Sequence, residues 1–287
     1  MSSPSKVPLI TLNNGQKIPQ LGYGCPVVDE IEDCMLQALK IGYRHFDAAH
    51  LTGYEKEIGL AIRKSGIPRS EIFMTSKLYI TEYGEGITLK AIDKMLKRFN
   101  FDYMDLILLH FPFNDYIGAY KDLEKAYEQG KVKNIGISNF ENKKLEELCN
   151  MAKIKPVVNQ VELYPYFQQN ELRARLEKYN TKIEAYCPLR RGESDLFSEE
   201  IFKNLAKKYK KSVAQIILRW HIQRGNIIIP SSINPERIKE NFEIFDFEMT
   251  PEEIKQIDGL DGKEARMQLD DEELEKDCLN DPPPSDD

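Results

Sequence analysis

The sequence predicts an α/β protein of the (β/α)8 barrel class, in which eight parallel strands form a closed ring surrounded by helices. Short apolar runs rich in β-branched residues alternate with amphipathic helical stretches along most of the chain. The runs are apolar enough to be buried on both faces, as strands of parallel sheets are. A doubly wound open sheet is the competing arrangement, but the GxGxxG segment typical of it is missing.

Eight segments fit the strand pattern, and the first is QLGYG. The seven that follow are YRHFDAA, IFMTSKL, MDLILLH, NIGIS, PVVNQVE, IEAYCP and NIIIPSS. The clearest helical stretches between them are EDCMLQALKIG, ITLKAIDKMLKRFN, YKDLEKAYEQG, NKKLEELCNMA and NELRARLEKYN. Ahead of the first strand, LITLNNGQKIP has Asn-Gly between two short strand-like runs, which predicts a β-hairpin that closes the bottom of the barrel.

The charge distribution divides the 287 residues into a single barrel domain, residues 1–263, and an acidic C-terminal tail, residues 264–287. The tail holds ten acidic residues against two basic ones, so the remaining 263 residues carry a net charge of only +1. A near-neutral body gives no electrostatic reason to expect nucleic acid or an anionic membrane as a partner. Because the tail is acidic, has three consecutive prolines and lacks a sustained apolar face, we expect it to be mobile over most of its length.

Composition also excludes several classes of protein. No apolar run approaches the ~18 residues of a membrane-spanning helix, and the N-terminus lacks the features of a secretory signal. The five cysteines are irregularly spaced, odd in number and without a CxxC pair, so we interpret them as reduced thiols. The sequence therefore predicts a cytoplasmic protein without a bound metal and gives no indication of its oligomeric state.

Ionisable residues end three adjacent strands of the predicted barrel. Asp47 follows YRHF, Lys77 follows IFMTS and His110 follows LILL. Each has a structural explanation when taken alone, since an aspartate can cap a helix, a lysine can extend to solvent and a histidine can fill the core. Active sites of these barrels lie where the strands end, so three such groups at one pole favour a shared functional site with a paired Asp and Lys beside an imidazole.

Other strand ends also carry polar residues. They are Ser138 and Asn139 after IGI, Gln160 after VVN, Tyr186 after IEA, and Ser231 and Ser232 after IIIP. Because the active sites of such barrels lie where the strands end, these residues are further candidates for the same functional site.

At these residues the sequence resembles the aldo-keto reductases, which are NAD(P)H-dependent carbonyl reductases on a (β/α)8 barrel. The resemblance covers most of the chain, from about residue 12 to about residue 241. Its motifs keep their order: LNNGQKIPQLGYG, GYRHFDAA, FMTSKL, DLILLHFP, IGISNF, VVNQVELYPY, AYCPL and IIIPSSINPERIKENF. It implies that Asp47 partners a catalytic Lys77 and that His110 orients the substrate carbonyl.

The resemblance also implies how the cofactor is held. Ser138, Asn139 and Gln160 match positions that bind the nicotinamide carboxamide, and Tyr186 matches the aromatic ring that stacks on the nicotinamide. Further cofactor-binding positions are implied at Cys187, Leu189, Ser231, Ser232, Arg237, Glu240 and Asn241. Because Ser231 stands where the family usually has a lysine while Arg237 is retained, we expect NADPH or NADH to bind, with a weakened preference for the 2′-phosphate.

The sequence departs from the family at the proton donor. The family has a tyrosine five residues after Asp47, whereas this chain has Thr52 there and Tyr54 two positions later. Three accounts remain: Tyr54 reaches the carbonyl through an altered loop, or Thr52 with a water or His110 itself supplies the proton, or turnover is nearly absent. The expected function is NAD(P)H-dependent reduction of small aldehydes or ketones, and the alternative is a cofactor-binding regulatory protein.

Overall fold

In a computed structural model of the protein, the described part of the chain starts with an antiparallel hairpin. The structure describes residues 7–263 and 271–284. Strand β1 (Leu9–Thr11) pairs with β2 (Lys17–Pro19), and Ile18 is buried against the first residues of barrel strands, including Leu106 and Val158. The apolar side chains of the hairpin therefore close the bottom of the barrel, as the Asn-Gly segment predicted.

Eight parallel strands follow and are hydrogen-bonded to one another in chain order. They are β3 (Tyr23–Gly24), β4 (His45–Asp47), β5 (Phe73–Leu78), β6 (Leu106–Leu109), β7 (Ile135–Ser138), β8 (Val158–Glu162), β9 (Lys182–Tyr186) and β10 (Ile227–Ile228). The ring closes where Leu21 forms a parallel bridge with Ile228 and the backbone N–H of Gly22 donates to the Ile228 carbonyl at 2.8 Å. The predicted (β/α)8 barrel with an N-terminal hairpin is confirmed.

The strands are buried on both faces, and this explains their uninterrupted apolar sequences. Every residue of β5, β6 and β7 is buried. One face of each strand lies under the surrounding helices and the other lines the barrel interior, so a polar side chain is tolerated only where it has a partner. Polar residues inside the strands therefore mark places where a hydrogen-bonding network has been built.

Amphipathic helices surround the ring. They are α1 (Ile31–Ile41), α2 (Glu55–Lys64), α3 (Thr88–Phe99), α4 (Tyr116–Glu128), α5 (Asn142–Met151), α6 (Asn170–Glu177), α7 (Ser194–Ser198), α8 (Glu200–Tyr209), α9 (Val213–Gln223), α10 (Pro235–Phe242), α11 (Pro251–Asp258) and α12 (Asp271–Asn280). The five helical stretches singled out in the sequence are confirmed as α1, α3, α4, α5 and α6. Helix α4 begins earlier than its apolar spacing indicated, because the Asp115 carboxylate accepts a hydrogen bond from the Gly118 N–H and caps the helix. None of the described helices is long and apolar enough to cross a membrane.

The acidic C-terminal segment contains helix α12, which differs from the mobile tail that its composition predicted. Cys278 is buried, and Leu274 packs against the main core. These two residues are four apart and share one face of the helix, and such a short apolar face is easily overlooked in an acidic sequence. The parts of the tail at residues 264–270 and 285–287 lie outside the described residues, and the boundary at residue 263 stays a prediction.

Gly59 sets how closely helix α2 approaches the end of α3. A Cβ atom at Gly59 would lie 2.2 Å from the carbonyl oxygen of Phe99, which is a backbone atom and cannot move alone. We expect Gly59→Ala to lower the free energy of unfolding by about 1–3 kcal/mol, the usual cost of overpacking, in urea denaturation. Lys56→Ala on the exposed face of α2 is the control and should change it by less than about 0.5 kcal/mol. Equal effects of the two substitutions would contradict this packing.

Candidate active site

A buried ion pair lies at the C-terminal end of the barrel. The Lys77 ammonium donates to Asp47 Oδ2 at 2.6 Å and to the Ala48 carbonyl at 3.0 Å. Asp47 is in register with Thr75 on the neighbouring strand, so Lys77, two residues further along β5, projects from the same face. The structure thus brings together two of the residues that the strand ends singled out.

His110 comes directly after β6, the strand next to β5. Its backbone N–H donates to the Leu78 carbonyl at 3.1 Å, and its ring stacks on Phe111 with centroids 4.4 Å apart. Burial, together with the positive charge of Lys77, lowers the pKa of His110 to about 3. The imidazole is therefore neutral near pH 7, and it can donate a hydrogen bond there but cannot serve as an imidazolium acid. Its Nδ1 atom is buried and has no partner within the described part of the chain.

Polar side chains at the ends of β7 and β9 form a hydrogen-bonded group beside His110. The Tyr186 hydroxyl donates to Asn139 Oδ1 at 3.0 Å. Asn139 Nδ2 donates to the His110 carbonyl at 3.0 Å and to Ser138 Oγ at 3.2 Å, while Ser138 donates to the Gln160 carbonyl at 2.9 Å. Asn139 has φ +63°, the left-handed region that asparagine adopts more readily than most residues. All four residues that the resemblance assigned to the nicotinamide therefore lie together.

Glu184 belongs to the site, although the sequence analysis missed it. Gln160 Nε2 donates to Asp47 Oδ1 at 2.8 Å and to Glu184 Oε1 at 2.6 Å. Glu184 has no exposed surface, and burial, followed by the nearby charge of Asp47, raises its pKa to about 8. The signal in the sequence was a glutamate in the apolar run IEAYCP, two residues before Tyr186 and so on the same face of the strand.

The two candidate hydroxyls of the loop after β4 point to other partners. Thr52 Oγ1 donates to the carbonyl of Ala49 at 2.8 Å, within a single turn of 3₁₀ helix. The Tyr54 hydroxyl donates to Asp29 Oδ1 at 3.1 Å. That hydrogen bond raises the pKa of the Tyr54 phenol above its ordinary value, which makes it a weaker acid. In the described residues, no tyrosine hydroxyl is hydrogen-bonded to Lys77.

The C-terminal segment borders this end of the barrel on two sides. Glu275 of α12 accepts a hydrogen bond at 2.7 Å from the backbone N–H of Asn114, in the loop after β6. Pro284 packs on Gly53, in the loop after β4, so closely that a Cβ there would lie 2.8 Å from the Pro284 ring. Both loops belong to the C-terminal face, so the acidic segment forms part of the wall around the site.

The segment after β10 exposes polar groups toward solvent. Ser231 is exposed, and the carbonyl of Ser232 accepts a hydrogen bond from the Tyr23 hydroxyl at 2.7 Å. The Asn234 side chain caps α10 by accepting from the backbone N–H of Glu236 and of Arg237. The Arg237 side chain is exposed. The exposed guanidinium suits a phosphate group, whereas the first N–H groups of the helix are already bound to Asn234.

The other positions implied for the cofactor differ in their surroundings. The Glu240 carboxylate accepts a hydrogen bond from the Ser212 hydroxyl, and Asn241 is buried. Cys187 has φ +48° at the turn after β9, and burial raises the pKa of its thiol. Leu189 is half-buried in the same turn. Glu240 therefore already has a partner, whereas the turn after β9 presents backbone and side-chain groups at the edge of the site.

The polar groups beside His110 fit the carboxamide of a nicotinamide. Both N–H groups of the Gln160 amide are used within the protein, so its oxygen remains as a hydrogen-bond acceptor. The 3.2 Å contact between Asn139 and Ser138 is the longest in the group and the easiest to exchange for a bond to a ligand oxygen. An amide, with one acceptor and two donors, matches these groups.

Comparisons with known proteins identify the family and the fold that this chain is similar to. The model of the aldo/keto reductase family matches residues 22–262, which include all eight barrel strands. The chain is 42% identical to glyoxal reductase of Bacillus subtilis, over 92% of this chain and 96% of that protein. Its fold is similar to the crystal structure of an aldo/keto reductase from Brucella melitensis, with a TM-score of 0.85, 46% identity and coverage of 89% and 100% of the two chains. An aldo-keto reductase of Bombyx mori in complex with NADP is similar at a TM-score of 0.85, with 31% identity and coverage of 90% and 94%.

The neutral state of His110 makes the stability of the protein depend on pH. The folded-state pKa is about 3, whereas the unfolded chain takes up a proton below about pH 6.5. The stabilisation is therefore complete above about pH 6.5 and is lost as the pH falls toward the folded-state value. Between about pH 5.5 and 4.5 the free energy of unfolding of the wild type should fall by about 1.4 kcal/mol per pH unit more than that of His110→Gln, in urea denaturation. Parallel pH dependences would mean that the folded protein protonates His110.

Proposed function

Because this chain belongs to the aldo/keto reductase family, we propose that it reduces small aldehydes or ketones to alcohols with NADPH or NADH. The observation that carries the proposal is the buried Lys77–Asp47 pair, 2.6 Å apart, beside a neutral His110 at the C-terminal face. Binding a nucleotide requires no such group, whereas a carbonyl that accepts a hydride needs stabilisation of the negative charge on its oxygen. The name of the similar glyoxal reductase supports small reactive carbonyl compounds as the substrate class.

The cofactor site is assigned to the residues at the ends of β7, β8 and β9. Ser138, Asn139 and Gln160 hold the carboxamide, and Tyr186 stacks against the nicotinamide ring. When bound, the reduced nicotinamide supplies a hydride. The hydrogen bond from Tyr186 to Asn139 fixes the plane of the tyrosine ring and so the face that it presents. Cys187, Leu189, Ser232 and Asn241 are assigned to the remainder of the cofactor.

The substrate carbonyl is placed between His110 and Lys77. A neutral imidazole donates one N–H bond to the carbonyl oxygen without competing for the proton of the product. The Lys77 ammonium stabilises negative charge as it develops on that oxygen, in surroundings of low dielectric constant where its effect is large. Asp47 holds the ammonium in place by accepting one of its N–H groups.

We assign delivery of the proton to a water molecule held between Lys77 and Thr52. An ammonium has three donors, and Lys77 uses two of them within the described residues, for Asp47 and Ala48. Thr52 is half-buried in the loop after β4, the loop that also contains Ala48, and its oxygen can accept a hydrogen bond from such a water. Tyr54 is not assigned this role, because its hydroxyl is bound to Asp29, whose effect on the phenol makes proton release less favourable.

A second candidate function is cofactor binding with little turnover. The observation that favours it is that no phenol contacts Lys77 among the described residues. The two functions are distinguished by measuring oxidation of NADPH and NADH with glyoxal, methylglyoxal and aromatic aldehydes, alongside cofactor binding by fluorescence. Turnover that is lost in Lys77→Met while cofactor still binds supports the reductase. Binding with no turnover of any carbonyl favours the regulatory protein.

Thr52→Tyr tests the assignment of the proton donor. A positioned general acid contributes about 10² to 10⁴ in rate, so restoring a phenol beside Lys77 should raise kcat at least about 10-fold. The lower limit applies because a pocket shaped for threonine crowds the ring. Tyr54→Phe is the matched control and should leave kcat within about twofold, since its hydroxyl faces Asp29. Loss of activity in Tyr54→Phe, with no gain in Thr52→Tyr, would place the donor at Tyr54.

The choice of cofactor depends on Arg237 and on the missing lysine at Ser231. A hydrogen bond to a charged group contributes roughly 1.5–3 kcal/mol, which corresponds to about a 10- to 150-fold change in affinity. We expect Arg237→Gln to weaken NADPH binding by such a factor without changing the Kd for NADH, in fluorescence titrations. Ser231→Lys should strengthen NADPH binding. A wild-type preference for NADPH above about a thousandfold would contradict the loss of the second cation.

A further inference from the structure

Glu184 occupies a place inside the barrel that the proposed reaction leaves unexplained. It lies on β9 in register with Gln160 on β8, so the two side chains point to the same face of the sheet. The single amide nitrogen of Gln160 joins the Glu184 carboxyl, at 2.6 Å, to the Asp47 carboxyl, at 2.8 Å. Glu184 is therefore connected through one side chain to the ion pair of the site.

This connection fixes the orientation of the Gln160 amide. Both N–H groups of the amide are directed at carboxyl oxygens, so the amide oxygen must point away from them. Without the carboxyl of Glu184, one buried N–H would lose its partner, and the amide would gain by rotating or by taking up a water. The orientation decides whether Gln160 offers a nicotinamide an acceptor or a donor.

The charges around Glu184 favour one retained proton. The charged groups that face it are Asp47 of β4 and Lys77 of β5, while β8 contributes the neutral Gln160 and β10 the apolar Ile227. A further titratable side chain of β4, His45, stays neutral because burial lowers its pKa to about 4.

Two carboxylates and one ammonium would leave an uncompensated negative charge in a buried cluster, which is costly. Glu184 Oε2 is buried and has no partner in the described ranges, so it is the oxygen that can carry the proton. Its Oε1 atom can accept the Gln160 hydrogen bond in either protonation state. The raised pKa of Glu184, about 8, agrees with this distribution of charge.

We propose that Glu184 is a positioning residue: its carboxyl orients the Gln160 amide toward the nicotinamide, and in its protonated form it keeps the Asp47–Lys77 pair electrically balanced, so that loss of its proton in alkaline solution weakens turnover. The inference rests on the proposed function for the identity of the cofactor and of the reaction. The added negative charge acts against the charge that develops on the substrate oxygen near Lys77, so turnover falls.

Glu184→Gln distinguishes ionisation of the carboxyl from a change in side-chain shape, because it keeps the acceptor oxygen and the size of the side chain but cannot ionise. Above about pH 8 the kcat/KM of the wild type should fall, approaching tenfold per pH unit as expected for one ionisation, whereas the profile of Glu184→Gln should lack this fall. Glu162→Gln, on the strand next to β9, is the matched control and should keep the wild-type profile. Equal alkaline profiles for wild type and Glu184→Gln would overturn the proposal.

Two further measurements keep this inference distinct from the proposed function. Infrared difference spectra of wild type against Glu184→Gln should show a protonated carboxyl at pH 7 that disappears by pH 9, without any cofactor or substrate. Glu184→Met, which removes the acceptor, should weaken NADPH binding at pH 7 by about 5- to 150-fold, the cost of a buried unpaired N–H. A protein with the infrared signal but without carbonyl turnover would contradict the proposed function alone. Absence of the infrared signal, or unchanged NADPH binding in a folded Glu184→Met, would contradict the role of Glu184.

Discussion

The buried ion pair of Lys77 and Asp47 is the interaction on which the rest of the site depends. Removing one partner of a buried pair leaves an uncompensated charge and typically costs about 3–5 kcal/mol. The two residues belong to neighbouring strands, and the strand register brings their charged atoms to 2.6 Å. The charge of Lys77 also acts on His110, where it adds to burial in holding the imidazole neutral. Strand pairing, charge balance and the protonation state of the site are therefore linked.

Around this pair, hydrogen bonds connect residues of neighbouring strands into one network. Gln160 binds Asp47 on one side and Glu184 on the other, and its carbonyl accepts a bond from Ser138. Since nearly every donor in the network has a partner, the side chains are held in place before any ligand binds. The entropic cost of ordering them is met during folding, so less of the binding energy of a cofactor is needed for it. The rigid barrel therefore keeps the side chains of the site ordered before a ligand binds.

The sequence was sufficient to predict the barrel and the meeting of Asp47, Lys77 and His110, because a parallel ring places all strand ends at one pole. It was not sufficient to predict the protonation state of each group. The low pKa of His110 depends on burial and on its distance from Lys77, neither of which follows from sequence spacing. Glu184 was missed because it lies within its strand, whereas the candidate residues were those at strand ends. Helix α12 was missed because its composition is that of a solvated segment, although a single helical turn buries Cys278.

In the loop between Asp47 and Tyr54, the two candidate hydroxyls are bound to partners other than Lys77. Proton donation is therefore separated from stabilisation of negative charge in the proposed chemistry. Thr52 Oγ1 is bound to its own turn, and the Tyr54 hydroxyl is bound to Asp29, a residue 25 positions earlier in the chain. Loss of a dedicated acid costs at most about 10⁴ in rate, because water can protonate a strongly basic alkoxide. Stabilisation of negative charge on the oxygen is commonly the larger contribution to catalysis, and in the proposed reaction Lys77 and His110 supply it. The groups that this chain retains are those that the harder part of the proposed carbonyl reduction requires. A protein that only bound the nucleotide would have no need of a buried ammonium paired with Asp47 beside a neutral imidazole.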